Sequence, residues 1–484
     1  MGWRRGLLSA AVLGLVGCAS VAPHALNAPA PVPESPARPA VIDTRPAAAA
    51  AAPVAIPDAL LRPGAAFSLG QIVDLALATS PQTRAAWLQA RAARALLGSK
   101  RAPYYPSLDL TANLSRAKQS AVGGQSEFEQ STYGPAVALS YLLLDFGGRA
   151  GNAEEALAGL LAADFNHDAA VQNLVLAVEQ AYFGYMNAKA QLGAARETVT
   201  QTQTGLDAAR VRHQAGVATI ADVLQAQTAF SQARLTLETI EGQVMVVRGA
   251  LATAMGLPAS IPLDVGALPT EVPVIQVEQA VEGLIEEARL RRPDLLSLRA
   301  LAEKALRHAG AIRSEGLPTL SLSANANRTY YSPSETAGFA DNWSTAVVLR
   351  YPLFSGFARS FDLEKARQDA AVAQEQAASY EQQVILQVWT SYYALLTATR
   401  RLETVKDLLA SAEQSHAVAL GRYKEGVGTI LDLLAAQSAL ASARAQEIQA
   451  RADWFVTVAR LAHDTGAASP LLATQIVTEE KVER

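Results

Sequence analysis

One thirteen-residue segment of this chain occurs twice. Arg212-His213-Gln214-Ala215-Gly216-Val217-Ala218-Thr219-Ile220-Ala221-Asp222-Val223-Leu224 is matched by Arg422-Tyr423-Lys424-Glu425-Gly426-Val427-Gly428-Thr429-Ile430-Leu431-Asp432-Leu433-Leu434, 210 positions further on. The match spreads outward: Tyr182 answers Tyr392, Leu192 answers Leu402, Gln227 answers Gln437, and Ala233-Arg234 answers Ala443-Arg444. Upstream, Pro81 answers Pro293, Pro106-Ser107-Leu108 answers Pro318-Thr319-Leu320, and Phe146 answers Phe354. A duplication this long means two copies of one architectural unit.

Proline divides each copy. Ten of the 23 prolines lie between Pro23 and Pro63, and with the Ala47–Ala52 run they make a low-complexity stretch that reads as an extended tether. Two proline-free runs, 136–257 and 353–469, are longer than an ordinary globular helix needs. Within them apolar residues recur three or four apart, as in Leu157, Leu160 and Leu161 or in Leu174, Val175 and Val178. Periodicity sustained that far predicts a coiled coil or helical array. A helix from Arg149 to Arg212 would be about 95 Å long. Gly216 and Gly426 sit where such helices reverse, because glycine adopts left-handed backbone angles freely. Asp222 and Asp432 then fall in the first turns of the return helices, beside the positive end of the dipole.

Before each long helix the period changes from 3.6 to 2. Ser107–Ala117 places Leu108, Leu110, Ala112 and Leu114 on one face, and Tyr133–Leu144 places Val137, Leu139, Tyr141 and Leu143 on one face. The second copy repeats this with Leu320, Leu322, Ala324 and Ala326, then Val347, Leu349, Tyr351 and Leu353. Polar, glycine-containing segments, Lys118–Gln130 and Ser332–Asn342, are expected as the loops. Each strand has about the 9–11 residues that a tilted strand needs to cross a bilayer. An open sheet edge in lipid leaves backbone groups unpaired at several kcal/mol each. Four strands cannot close, so closure requires oligomerisation. Two chains would give about eight strands and three about twelve.

The amino terminus carries a second signal. Arg4-Arg5 precede a short apolar stretch, Leu7 to Val16, followed by Leu15-Val16-Gly17-Cys18. That pattern reads as a signal peptide over residues 1–17. The tetrapeptide resembles the bacterial lipobox, which implies lipidation of Cys18, the sole cysteine, the alternative being an ordinary signal cut near Ala19. Acyl chains would anchor the mature protein by burying methylenes.

Composition excludes several classes. Half of the 484 residues are apolar, 18% are charged and the net charge is −4, so no basic footprint for nucleic acid exists. The mean hydropathy of +0.11 is high for a soluble enzyme. No phosphate-binding loop, His-Glu-x-x-His or Gly-x-Ser-x-Gly motif appears. The expectation is no enzyme, no cofactor and no metal site.

The ordered set of motifs resembles the TolC-like outer-membrane efflux proteins, in particular their lipoprotein branch. The resemblance runs over roughly residues 66–466. It rests on the duplication, the strand starts at Pro106 and Pro318, the junctions Phe146-Gly147-Gly148 and Phe354-Ser355-Gly356, and the repeated Gly-Val-x-Thr-Ile-x-Asp motif. It implies a mainly α protomer with a membrane β-barrel. Each chain would supply four strands to a shared twelve-stranded trimeric barrel above a long periplasmic α-helical barrel. It implies a homotrimeric exit duct of a tripartite efflux or type I secretion system. A periplasmic adaptor would couple it to an inner-membrane pump of RND or ABC type. The implied order is a signal peptide (1–17), a lipidated tether (18–66), a first repeat (67–257), a linker (258–280), a second repeat (281–466) and a tail (467–484).

By the same resemblance, Gly216, Val217, Thr219, Gly426, Val427 and Thr429 correspond to adaptor-docking tips. Asp222 and Tyr423 correspond to a link between neighbouring hairpins in the closed state, and Asp432 to an acidic constriction. Two departures stand out: Gly428 replaces a tip arginine of the closed-state network, and Ala435 replaces a second constriction acid. The alternative reading is a non-conducting coiled-coil lipoprotein of the outer membrane.

Overall fold

A computed structural model describes residues 66–121, 126–270, 272, 280–332 and 338–467. Cys18, the signal peptide and nearly all of the tether lie outside the described residues. The first repeat opens with a two-residue strand β1 (Ala66–Phe67) and helices α1 (Leu69–Thr79) and α2 (Pro81–Arg101). A hairpin follows, β2 (Ser107–Ala121) and β3 (Ser126–Leu144), then helices α3 (Gly148–Gln214) and α4 (Ile220–Ala254). A short strand β4 (Asp264–Val265) leads to the second repeat. This contains α5 (Val281–Arg291), α6 (Pro293–Ser314), β5 (Thr319–Ser332), β6 (Phe339–Arg350), α7 (Ala358–Lys424) and α8 (Ile430–Asp464).

The long helices of the two copies agree to the residue. Both α3 and α7 have 67 residues, and both α4 and α8 have 35. At 1.5 Å per residue the long helices reach about 100 Å. Pro81 and Pro293 each open a helix at its first turn, where the missing N–H costs nothing. Among the described residues no helix is long and apolar enough to cross a membrane.

The four long strands form one antiparallel sheet in the order β2-β3-β5-β6. Both outer strands therefore present an unpaired edge. The hairpins run further than the apolar alternation suggests. Lys118 pairs with Glu129 and Ala121 with Ser126, inside the stretch expected as loop. Ladder hydrogen bonds do not need apolar side chains, and charged pairs continue the sheet: Arg116 Nε donates to Glu129 at 3.1 Å. Arg328 and Asp341 face each other directly. At the other end β6 stops at Arg350, before the expected Tyr351 and Leu353, because Pro352 cannot donate to a ladder. Gly134 marks a close approach between β3 and β5: a Cβ there would lie 1.8 Å from the Arg328 carbonyl oxygen.

Each strand-to-helix junction turns through two residues of positive φ. They are Phe146 and Gly147 in the first copy, and Gly356 and Phe357 in the second. The structural counterpart of Phe146 is thus Gly356, not Phe354 as the sequence match implies. The backbone geometry is conserved between the copies while the phenylalanine moves within the turn. An arginine staples each junction. Arg149 donates to the carbonyls of Leu142 (2.6 Å) and Leu143 (3.2 Å), and Arg359 to that of Pro352 (2.8 Å).

The main core lies where α1, α3, α4, α5, α7 and α8 meet, around the fully buried Trp454. The segment between the repeats is packed into this core through Ile261, Leu263, Val265 and Leu268. Lys189 Nζ holds it, donating to Asp264 Oδ1 at 2.6 Å and to the Val265 carbonyl at 2.7 Å. β4 also pairs in parallel with β1, so Ala66 belongs to the fold rather than to the tether.

Candidate functional site

Helices α3 and α7 both end in the same turn. Val217 N–H donates to the Arg212 carbonyl (3.0 Å) and Gly216 N–H to that of His213 (2.9 Å), with Gly216 at φ +76°. Val427 N–H and Gly426 N–H repeat this with Arg422 (3.0 Å) and Tyr423 (3.2 Å), with Gly426 at φ +83°. These are Schellman caps, in which a left-handed glycine lets the last carbonyls find donors.

Two residues later each return helix begins with a capping box. Asp222 N–H donates to Thr219 Oγ1 (3.3 Å), and Thr219 N–H donates back to Asp222 Oδ2 (2.9 Å). Thr429 and Asp432 do the same at 3.2 Å in both directions, with a further bond from the Thr429 hydroxyl to Asp432 Oδ2 (2.8 Å). These bonds hold the Asp432 carboxyl below the usual carboxylate range. Both acids thus satisfy orphan backbone donors of their own helices. The Thr-x-x-Asp spacing was a sequence signal for this.

The turns leave Val217 and Val427 largely exposed at the two tips, with Ile220 and Leu431 beside them. The tips lie side by side. Arg212 reaches from the first to the second, placing its guanidinium 4.8 Å from the centre of the Tyr423 ring. Its Nη1 also donates to the Tyr423 carbonyl. Tyr423 is 2% exposed, in a small core with Leu206, Ala209, Ile430 and Leu433. Burial raises its hydroxyl pKa, with Arg212 opposing and Asp222 adding to the rise. Within the protomer that hydroxyl has no hydrogen-bond partner among the described residues, so no bond joins Tyr423 to Asp222. Nothing in the sequence singled out Arg212, whose role depends on a contact across 211 positions.

The backbone explains Gly428. Its N–H donates to the Arg422 carbonyl (3.0 Å), and a Cβ there would lie 3.0 Å from that of Arg422 and 3.1 Å from Tyr423 N. Arg422, Asp432 and Ala435 line one groove between α7 and α8 next to this turn. Among the described residues no cluster of three or more His, Cys, Asp or Glu could hold a metal ion.

A family model described as outer membrane efflux protein matches residues 72–257 and 284–467, one segment for each repeat. The chain belongs to the outer membrane efflux protein family. It is 30% identical to Protein CyaE of Bordetella pertussis over 386 residues, covering 79% of this chain and 80% of that protein. It is 28% identical to the toluene efflux pump outer membrane protein TtgC of Pseudomonas putida, covering 78% of each. Among solved structures, a membrane protein from Pseudomonas aeruginosa superposes with a TM-score of 0.75 at 27% identity, over 82% of this chain and 93% of that one. The family fixes the broad function: this is an outer-membrane channel protein of the efflux type, built on a mainly α, tandemly duplicated fold.

Proposed function

We propose that three copies of this chain assemble into one exit duct, with a shared twelve-stranded barrel in the outer membrane and a helical barrel reaching into the periplasm. The observation that carries this reading is the sheet β2-β3-β5-β6, whose two free edges cannot persist in lipid. Three sheets give twelve strands, enough to enclose a passage. Solutes enter from an inner-membrane pump through a periplasmic adaptor that grips the tips at Gly216, Val217, Thr219, Gly426, Val427 and Thr429. Exposed valines on rigid, capped turns suit such docking. Tyr423, Asp222 and Asp432 form the periplasmic gate, with one ring of three Asp432 carboxylates and no second acid at Ala435. The duct works by geometry and wall charge, as channels do.

In this reading residues 1–17 are a cleaved signal peptide, Cys18 carries the lipid, and residues 18–65 tether it to the repeats, the first of which begins with β1 at Ala66. The test is conductance in a planar bilayer together with solute hypersensitivity of a deletion strain. Purified protein that stays monomeric and conducts nothing would sink the duct. A photoreactive residue at Val217 or Val427 should capture the adaptor, and capture of none would remove the tip assignment.

A further inference from the structure

Helix α3 packs against both α4 and α8, and those two barely touch each other. Between the three helices lies a groove of about 400 Å³. Its walls are built from small side chains, among them Ala195, Ala233 and Ala441, with Ile240 and Leu434 adding apolar surface. Among the described residues that line it none is charged. An apolar trough of this size with a few polar groups has the dimensions of a small-molecule site.

One polar group lining this groove is left incomplete. Gln437 on α8 is 4% exposed and lies against α3 where Gly205 leaves it room: a Cβ at that glycine would sit 3.0 Å from Gln437 Nε2. Its Nε2 donates to the Gln201 carbonyl at 3.2 Å, while its Oε1 is buried with no hydrogen-bond partner among the described residues. The internal repeat shows what is missing. Gln227, the counterpart of Gln437, accepts at its Oε1 from Arg210 Nη2 at 2.9 Å. The counterpart of Arg210 is Leu420, whose side chain has no donor. Neighbouring hydroxyls do not fill the gap. Thr198, Thr202 and Thr236 line the same groove and spend their hydrogens on the carbonyls of Ala194, Thr198 and Gln232, at 2.9, 2.9 and 3.0 Å. These groups can accept but not donate. A buried acceptor left unpaired is costly, which favours an occupant that brings the donor.

We propose that this groove binds a neutral aromatic molecule that carries one hydroxyl or N–H donor. The donor pairs with Gln437 Oε1, and the flat body lies along the alanine walls, where small side chains leave a slot between adjacent helices. A charged occupant is disfavoured, because no side chain of opposite sign lines the groove to offset its desolvation. The threonine oxygens, with lone pairs to spare, accept a second weak contact but supply no hydrogen. All three helices belong to one chain, so the inference stands apart from the trimeric reading.

The test uses the full-length protein in mild detergent. The probe is naphthol, and the comparison is methoxynaphthalene, which has the same rings and no donor. Equilibrium dialysis should show saturable naphthol binding with a single site per chain, about tenfold tighter than methoxynaphthalene. Gln437→Met removes the acceptor at nearly constant volume and should erase that preference. Ala441→Leu fills the groove and should abolish binding of both probes. Gln227→Met, at the counterpart that is already paired, should change neither affinity. Binding that never saturates, equal affinity for the two probes, or a preference that survives Gln437→Met would overturn the proposal and leave water as the partner of Gln437. The two-probe comparison on the unaltered chain decides the matter even where a variant does not fold.

Discussion

The guanidinium of Arg212 lies 4.8 Å from the centre of the Tyr423 ring and donates to the Tyr423 carbonyl, joining the end of α3 to the end of α7. It is a polar contact that ties one hairpin tip to the other within a protomer. Arg212→Ala removes a desolvated cation–π contact and a charge-assisted hydrogen bond, a loss of about 2 kcal/mol. Tyr423→Phe keeps both, and the hydroxyl it deletes has no partner among the described residues of the protomer. Protomer stability should then be unchanged or rise by up to roughly 1–3 kcal/mol, because a buried hydroxyl without a partner is removed. Bilayer conductance should nevertheless rise in Tyr423→Phe if that hydroxyl closes the gate against a neighbour. A variant with unchanged conductance would remove Tyr423 from the gate.

The capping boxes assign Thr219 and Thr429 a measurable share of tip order. Thr219→Ala or Thr429→Ala should each cost about 1 kcal/mol. Amide hydrogen exchange is the direct readout, with the Asp222 or Asp432 N–H losing protection ahead of the rest of its helix. Acid should act similarly at the second tip. The Asp432 pKa is depressed by its bonds from Thr429. Its contribution is therefore present above the unfolded carboxylate value and is lost as pH falls through the folded one. Protection at Asp432 that is indifferent to strong acid would contradict this.

Glycine at position 151 lets α3 and α6 approach closely. A Cβ there would sit 3.1 Å from both Cα and N of Ala311, backbone atoms that cannot turn aside. Gly151→Leu should destabilise by roughly 1–3 kcal/mol through overpacking. Gly184 lies in the same helix with nothing within 4 Å of such an atom. Gly184→Ala should be neutral or stabilise by up to about 1 kcal/mol, from helix propensity. Chemical denaturation of the two variants side by side makes the comparison, and equal effects would refute the close approach.

Glu179 is a buried acid on α3 among Val175, Val178, Tyr182 and Phe183, and burial raises its pKa to about 7. Raised in the folded state, it favours folding fully below the unfolded value, near 4.5. That contribution is lost as pH rises through about 7. Glu179→Gln should therefore stabilise the protein at pH 8 by up to about 3 kcal/mol relative to the unaltered chain, with the difference fading toward pH 4. Melting curves at the two pH values decide it. A pH-independent difference would place the charge in water rather than in the core.

Much of this architecture was legible in the chain because its signals are periodic and local. The 210-residue offset gave the repeat, the change from period 3.6 to period 2 located each hairpin, and Gly216 and Gly426 marked both reversals. Errors arose where local pattern and backbone geometry part. The strands outrun their apolar faces, since Arg116–Glu129 and Arg328–Asp341 carry the ladder on. Phe146 and Phe354 look equivalent, yet the positive-φ turns align Phe146 with Gly356. The acids Asp222 and Asp432 stand out in the sequence, whereas the structure adds Thr219 and Thr429 as the caps that bind them.

The sequence by itself determined the duplication, the order of helix and strand, and the requirement that four strands find partners outside the chain. Those follow from short-range sterics and from hydrophobic periodicity, which act within a few residues. Only the tertiary structure decided that Arg212 meets Tyr423, that the segment between the repeats is core, and that α3 pairs with α8 while α4 and α7 make no extensive contact with each other. Such contacts join positions from 75 to more than two hundred residues apart. They are set by which helix faces remain uncovered after the coiled-coil pairs have formed, a property of the packed assembly that no window of sequence contains.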